Sequence, residues 1–522
     1  MNIGKSRLEL LASLSPAQRA EFFRLLREER LQVAQEVVPR RTGSSGPAPL
    51  SFAQQQLVFL DQMYPGMPTY NVPLAVQLRG PLNPLLLERS LNGLLQRHDI
   101  LRTVFKVTDG IPMQQVIPDF TLQLQVEDLA GIPASEHEPK ARALAVQEGR
   151  CPFDIQAAPP IRAKLLRLDD NHHVALITLH HVICDGQSLE ILIHDLAALY
   201  EAEASGRVAQ LPELPLQYID FVHWQREWLK SNHLQPQIAY WKSQLHDCAA
   251  DREVPSDFPG HDAPGVQAKR AYFELGPEVQ HSLEKVAFSC RTTPMTVLLA
   301  AFQVLLKIWS GQDAISIGSP VDNRKRTEFA GLIGFFVNTV IYRTDVGGEI
   351  TFSDVLSRAR ETVLSAHAHA DVPFELLLKE LHGESDSVRA PLFRIWFVFM
   401  PAPPQRRTLS GIELTPFSVE YEIPRYDLKL NVLADADGLH GSLEYDTRLF
   451  AASTIEALSR QYTLILQRVA DEPEVRVRQL AEWLNTIAEK QRTDKQKQLV
   501  ETNLKKLMRR RRQPSSENRS SL

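Results

Sequence analysis

The feature that most constrains the fold is an apolar run of strand length, Val174–Leu179. It ends in His180-His181-Val182-Ile183-Cys184-Asp185-Gly186, and Leu189, Leu192, Ile193, Leu196, Leu199 and Tyr200 follow at helical spacing. A strand nearly continuous in apolar residues is expected to be covered on both faces. Strand, short loop and amphipathic helix in that order specify α/β architecture. The alternation recurs: Ala271–Leu275 predicts a strand, Pro277–Phe288 a helix, and Thr293-Pro294 a second helix with a hydroxyl cap and proline at its first position. Ala314–Gly318, Arg394–Phe399, Leu428–Leu433 and Leu439–Tyr445 read as further strands, and Ala451–Ala470 as a helix. A chain of 522 residues exceeds one ordinary core. Two α/β halves divided between Leu229 and Lys269 is the economical reading.

The ends differ from this body. Ser15-Pro16-Ala17-Gln18 is a capping-box start, so residues 1–37 read as a helical segment, and 38–49 have linker composition. Residues 489–522 form a polar, basic tail carrying Lys505, Lys506 and Arg509–Arg512, with a fraying helix and then disorder expected. A net charge of -5 gives no field that would draw nucleic acid. The apolar stretches are too short or interrupted to span a bilayer, and Met1–Leu11 lacks the uninterrupted apolar core of a secretory signal. Cys151, Cys184, Cys248 and Cys290 lack CxxC spacing and imply neither a disulfide framework nor a zinc knuckle. A cytoplasmic location is expected.

The chemistry-bearing residues sit where the buried strand gives way to its loop. Adjacent residues at a strand end point to opposite sides, so one of His180 and His181 can face a cleft and the other the core. A neutral imidazole can take a proton from an attacking amine or alcohol. Asp185 can hold the loop through a salt bridge, and Gly186 permits close approach of a ligand or backbone. The pair His172-His173 at the other end of the same strand abuts Asp169-Asp170-Asn171, a surface-turn composition, and is expected to be solvent-exposed. The two pairs lie about 26 Å apart along an extended strand and cannot share a site. Two adjacent histidines and Asp185 do not make a metal site, and none is expected.

The loop has companions. His180-His181-x-x-x-Asp185-Gly186 resembles the HHxxxDG signature of nonribosomal peptide synthetase condensation domains and of the wider chloramphenicol-acetyltransferase-like superfamily. Ser51–Leu60 resembles that family's opening motif, Arg97–Phe105 its RHExLRTxF motif, and Tyr218–Trp224 its YxDFAxW motif. Ile333–Thr339 resembles IGxFVNT and His369–Glu375 resembles HxDVPFE, all in family order between about Leu50 and Leu449.

The resemblance implies two acetyltransferase-like lobes, residues 50–235 and 236–488, in a V-shaped pseudo-dimer with a tunnel between them. It implies acyl transfer from a donor carrier protein to an acceptor carrier protein or a small-molecule amine or alcohol. The substrates would ride on 4'-phosphopantetheine arms, with no bound cofactor, nucleic acid or membrane, in a monomeric protein. His181 is carried over as the catalytic residue, with His180, Asp185 and Gly186 shaping the loop and Arg324 pairing with Asp185. Cys184, Gln187 and Asn338 are substrate-channel candidates; Cys184 reads chiefly as a small packing residue rather than a nucleophile. Gln56, Val58, Gln187 and Ala370 depart from the family's common residues, and Asp386–Leu392 resembles its final motif only loosely. These departures bear on acceptor identity rather than on activity. The opening stretch resembles the subtype that takes L-configured donors, and the histidine pair disfavours the cyclisation subtype. Nothing resembles an adenylation nucleotide loop or a Gly-Gly-x-Ser attachment site, so action in trans or excision from a larger synthetase is expected, with either end of the chain available to dock carriers. The rival readings are an ester-forming or free-acceptor acyltransferase and a non-catalytic scaffold for carrier-bound substrates.

Overall fold

The structure is a computed structural model that describes residues 38–40, 46–230, 234–246, 254–258, 268–386, 392–401, 407–421, 425–490 and 493. The expected N-terminal helical segment, the middle of the linker, most of the loose final motif and nearly all of the basic tail lie outside the described residues.

The first half runs β1 (Ala48–Pro49), α1 (Phe52–Met63), β2 (Asn71–Arg79), α2 (Pro84–Arg97), β3 (Thr103–Thr108), β4 (Ile111–Val116), β5 (Gln125–Asp128), α3 (Ala134–Arg150), β6 (Ile161–Asp169), β7 (His172–His180), α4 (Gly186–Ser205) and α5 (Tyr218–Trp228). The apolar run is β7, flanked antiparallel by β2 and β6 through Val76↔Ala175 and Leu165↔Ala175. Ile177 packs in one core with Leu91, Leu94 and Leu192 from α2 and α4. Val174 and Leu176 pack on the other face against Ala141 and Ala145 of α3. Both faces are covered, as the composition of the run requires.

The second half runs α6 (Leu234–Leu245), β8 (Ala268–Leu275), α7 (Pro277–Ser289), α8 (Pro294–Ser310), β9 (Ala314–Asp322), β10 (Val337–Asp345), α9 (Phe352–Ala368), α10 (Phe374–Asp386), β11 (Ile395–Pro401), β12 (Arg407–Leu409), β13 (Ile412–Pro416), β14 (Leu428–Asp435), β15 (Gly438–Asp446) and α11 (Ala452–Asp471). Its sheet has the order β10-β9-β11-β14-β15-β8, with β11 parallel to both β9 and β14. Ile315, Ile317, Ile395, Phe397, Leu428 and Leu430 bury one face against a core that includes Val304, Leu305 and Ile465 of α8 and α11. The alternate residues Trp396, Lys429, Asn431 and Glu444 form the opposite face, because successive side chains of a strand alternate.

The change of core falls between Val222 and Ile238. Two later segments cross back. Phe329, Leu332, Ile333 and Phe336 lie in the first core. The β12–β13 hairpin pairs with β2 through Leu414↔Leu78, so the first sheet has the order β12-β13-β2-β7-β6-β5. Without it β2 would present an unpaired edge. The first lobe is therefore not contiguous in sequence: the second half supplies part of its core and its edge hairpin.

The His172-His173 pair is not in solvent as expected. His173 is buried and His172 half-buried, the latter 2.6 Å from Gln77 Nε2. Pairing to β2 and β6 begins at the first residue of β7, placing this pair inside the sheet rather than on a free turn. No single described helix is long and apolar enough to cross a membrane.

Candidate active site

β7 ends at His180, and one 3₁₀ turn, His181–Ile183, separates it from Asp185 at the N-cap of α4. The turn gives the two imidazoles different environments. His180 is buried near the rings of Tyr70 and Phe153, and its Nδ1 accepts the Val182 backbone N–H at 3.1 Å. His181 is half-buried beside Phe335, with ring centroids 4.8 Å apart. Its Nδ1 lies 2.7 Å from the Cys184 carbonyl oxygen. A carbonyl only accepts, so Nδ1 of His181 carries the proton, and in the neutral ring Nε2 keeps its lone pair. Burial pushes His181 down to about 4 and His180 to about 3, with the Arg425 charge adding to both. Both rings are neutral at pH 7.

The loop is locked from the second half of the chain. Arg324 Nη1 and Nη2 donate to Asp185 Oδ2 and Oδ1, each at 2.9 Å, a bidentate pair with side chains 1% and 0% exposed. The same carboxylate accepts the Phe336 N–H at 3.0 Å, and from Ser188 the N–H at 2.9 Å and the hydroxyl at 2.8 Å. The guanidinium lies over the Phe336 ring, 4.1 Å from its centroid, and donates to the Leu332 carbonyl. Every oxygen of the buried anion is occupied, as a charge removed from water requires.

The other motifs converge on this loop. Ser51 and Gln54 cap α1 reciprocally, and Gln54 Nε2 reaches across to donate to the Val182 carbonyl at 3.1 Å. Tyr218 donates its hydroxyl to the Phe335 carbonyl at 2.8 Å, bracing the residue that packs on His181. A Cβ at position 334 would run into the Tyr218 ring, so this approach needs Gly334. Arg97 and His98 both bond Asp195 Oδ2, at 2.8 and 2.9 Å, tying α4 to α2.

The family model described as Condensation domain matches residues 44–492. The chain belongs to the condensation-domain family. It is 40% identical over 454 residues to a linear gramicidin synthase of Brevibacillus parabrevis, covering 86% of this chain and 6% of that protein. It is 36% identical over 469 residues to phosphinothricin tripeptide synthetase PhsC of Streptomyces viridochromogenes, covering 89% of this chain and 43% of the relative. The chain thus spans less than half the length of either relative. Two solved structures share the fold: the X-domain from teicoplanin biosynthesis (TM-score 0.73, 24% identity, 84% of this chain and 98% of that one) and the first condensation domain of the CDA synthetase (TM-score 0.71, 20% identity, 83% and 98%). The two-sheet architecture is that of a condensation domain with acetyltransferase-like lobes.

Within this condensation fold the remaining expectations sort clearly. Gly186 opens α4 with nothing within 4 Å of the place a Cβ would take, and Gln187 beside it is exposed. Cys184 is wholly buried in the first core, where burial raises its thiol well above the ordinary range. Its side chain points from the turn into that core and packs the loop. Asn338 is also buried; its amide donates to the Ala370 and Val372 carbonyls at 2.9 and 2.7 Å and accepts the Phe374 N–H at 3.0 Å. That side chain clamps the turn before α10 and borders a small cavity shared with Gln225, Asn323 and Glu375.

Several site residues were not singled out from sequence. Gln54, Tyr218, Phe335 and Glu375 lay inside recognised motifs, so their presence was signalled and only their contacts were not. Arg425 carries no pattern. Its guanidinium crosses between lobes to donate to the Thr69 and Asn71 carbonyls at 2.8 and 3.2 Å, and Asn71 pairs with His180 in the β2–β7 register.

Proposed function

We propose that the chain is the acyltransferase of a peptide-assembly system. It joins a carrier-bound acyl thioester to an amine, with His181 at the reaction centre. The observation that carries this reading is the state of that ring: neutral, fixed as the Nδ1–H tautomer by the Cys184 carbonyl, with no partner on Nε2 among the described residues. The acceptor nitrogen attacks the thioester carbon, the carbon–sulfur bond breaks as the tetrahedral intermediate collapses, and the nitrogen's proton passes through Nε2 toward the departing thiolate. A ring held near pKa 4 carries that proton only transiently, so it returns to its resting state without a separate step. Orienting two tethered reactants contributes about 7–11 kcal/mol, and general-base assistance typically roughly 10²–10⁴-fold. The relatives that match over most of this chain are peptide synthetases, which supports an amide product and donors and acceptors carried on phosphopantetheine arms. The opening motif supports an L-configured donor.

The test is transfer by mass spectrometry, with a donor on a carrier protein and carrier-bound amine, free amine and free alcohol acceptors. Wild type is expected to form amide, and His181→Ala to lose roughly 10²–10⁴-fold at unchanged melting temperature. Turnover with alcohol alone would reassign the chain to ester formation. Carrier binding without transfer by either protein would make it a scaffold.

A further inference from the structure

The polar face of the second sheet holds a cation without an acceptor among the described residues. Residues directly opposite in neighbouring strands share a face, so Trp396, Lys429, Glu444 and Arg270 form a row across β11, β14, β15 and β8. Within that row Arg270 donates twice to Glu444 Oε2, at 2.8 and 2.6 Å, and the same carboxylate, directly opposite Lys429, is shared between the two cations. Lys429 is half-buried and makes no hydrogen bond or ion pair with any described residue. On its other side Trp396 stacks on Tyr426 at 4.5 Å, and Phe393 lies 5.5 Å from Trp396, forming an apolar wall. One residue before Tyr426, Arg425 adds a second cation whose guanidinium meets backbone carbonyls rather than a carboxylate. Arg425 in turn touches Asn71, the partner of His180 across the sheet. Lys429 follows Arg425 by four residues, no more than about 13 Å of extended chain. The row therefore starts a short stretch of chain from the contact that Arg425 makes with the first lobe.

We propose that Lys429, backed by the Trp396–Tyr426 stack and assisted by Arg425, is an oxyanion subsite that receives a substrate carboxylate or the phosphodiester of a pantetheine arm. The proposal rests on the acyl-transfer reading for its role in turnover, but not for binding. A half-buried ammonium beside an aromatic wall, with no hydrogen-bonded or ion-paired acceptor among the described residues and only a shared carboxylate opposite, is stabilised by an incoming oxyanion and not by a neutral group. Burial lowers the Lys429 amine to about 8; the Glu444 carboxylate opposes that shift, and the Arg425 and Arg270 charges add to it. The aromatic wall excludes water on one side and strengthens a charge pair formed there.

The experiment has a binding arm and a turnover arm. In the first, lysines of the full chain are reductively methylated and mapped by peptide mass spectrometry, with and without inorganic phosphate or succinate. Lys429 is expected to be protected by at least one of them while exposed lysines are not; equal labelling of Lys429 throughout overturns the proposal, whatever the protein catalyses. In the second, N-acetylcysteamine thioesters bearing aspartyl or asparaginyl groups are offered as donor and as acceptor to wild type, Lys429→Arg and Lys429→Met. A carboxylate subsite predicts that the aspartyl-to-asparaginyl ratio of kcat/KM falls roughly 10–150-fold in Lys429→Met and recovers in Lys429→Arg. A phosphate subsite predicts no change in that ratio, but a loss in Lys429→Met when the same groups ride on phosphopantetheine. If neither ratio nor arm dependence moves while all three variants melt together, Lys429 recognises nothing. Absence of transfer by wild type with every pair would instead count against the acyl-transfer reading and leave the labelling result to decide the subsite.

Discussion

Removing the guanidinium of Arg324 tests how the histidine loop is held. In Arg324→Met the Asp185 carboxylate stays fully enclosed and keeps its bonds from Ser188 and Phe336, but loses both charge-assisted bonds at 2.9 Å. Breaking a buried ion pair from one side typically costs about 3–5 kcal/mol, because the remaining charge is stranded away from water. For a cooperative unit of 150–250 residues, 1 kcal/mol moves the melting temperature by about 2–4 °C, so a drop of roughly 6–20 °C is expected in the transition of the first lobe. Asp185→Asn keeps the shape and strands the cation instead, although the Leu332 carbonyl and the Asp322 carboxylate remain beside it. The double variant Asp185→Asn/Arg324→Met removes both charges. It should melt above Arg324→Met alone, with a coupling energy of at least about 2 kcal/mol across the cycle. The assay is calorimetry of wild type, both single variants and the double variant at one pH. Additive single effects, or coupling below about 0.5 kcal/mol, would refute the claim that this pair locks the loop.

Three further outcomes follow from the same contacts. In an NMR titration His181 should remain neutral from pH 8 to below pH 5 and protonate near 4; a midpoint near the ordinary 6.5 would show a solvated ring. Because His180 and His181 have folded values below their unfolded ones, their contribution to stability is flat above about pH 6.5 and declines as pH falls toward 4 and 3. Tyr218→Phe leaves the Phe335 carbonyl without its 2.8 Å donor and should cost about 1–3 kcal/mol in denaturant unfolding while broadening the His181 ring signals; sharp, unshifted signals would separate Phe335 from the site. Burial raises Glu375 to about 7, so the native state retains a proton that the unfolded chain releases, and stability falls as pH rises from about 4.5 through 7. Glu375→Gln should abolish that decline, worth up to about 3 kcal/mol, in melts at pH 5 and pH 8; identical pH dependence in both proteins would rule it out.

The elements and the family were determined locally. Val174–Leu179 had to be a doubly covered strand because the run is nearly continuous in apolar residues, and Thr293-Pro294 had to open a helix because a hydroxyl cap and a fixed φ are properties of those residues alone. The Asp185–Arg324 pair was also legible, but only through the ordered motifs that carry it, since 139 residues separate the partners. What the chain could not disclose locally is where its alternating faces meet. The turn after β7 sends Cys184 into the core and leaves His181 half-exposed, although both lie in one short loop. The β12–β13 hairpin leaves its own half to complete the first sheet because β2 offers the matching edge, and no local pattern names that partner. His173 is buried by strands on either side rather than exposed by the neighbouring acidic turn. Arg425 carries no motif, and its contact with the Thr69 and Asn71 carbonyls of the first lobe arises only in the folded chain. Periodicity and capping act over a few residues and are written in the chain; which faces close on one another is a competition among all of them, resolved only by packing.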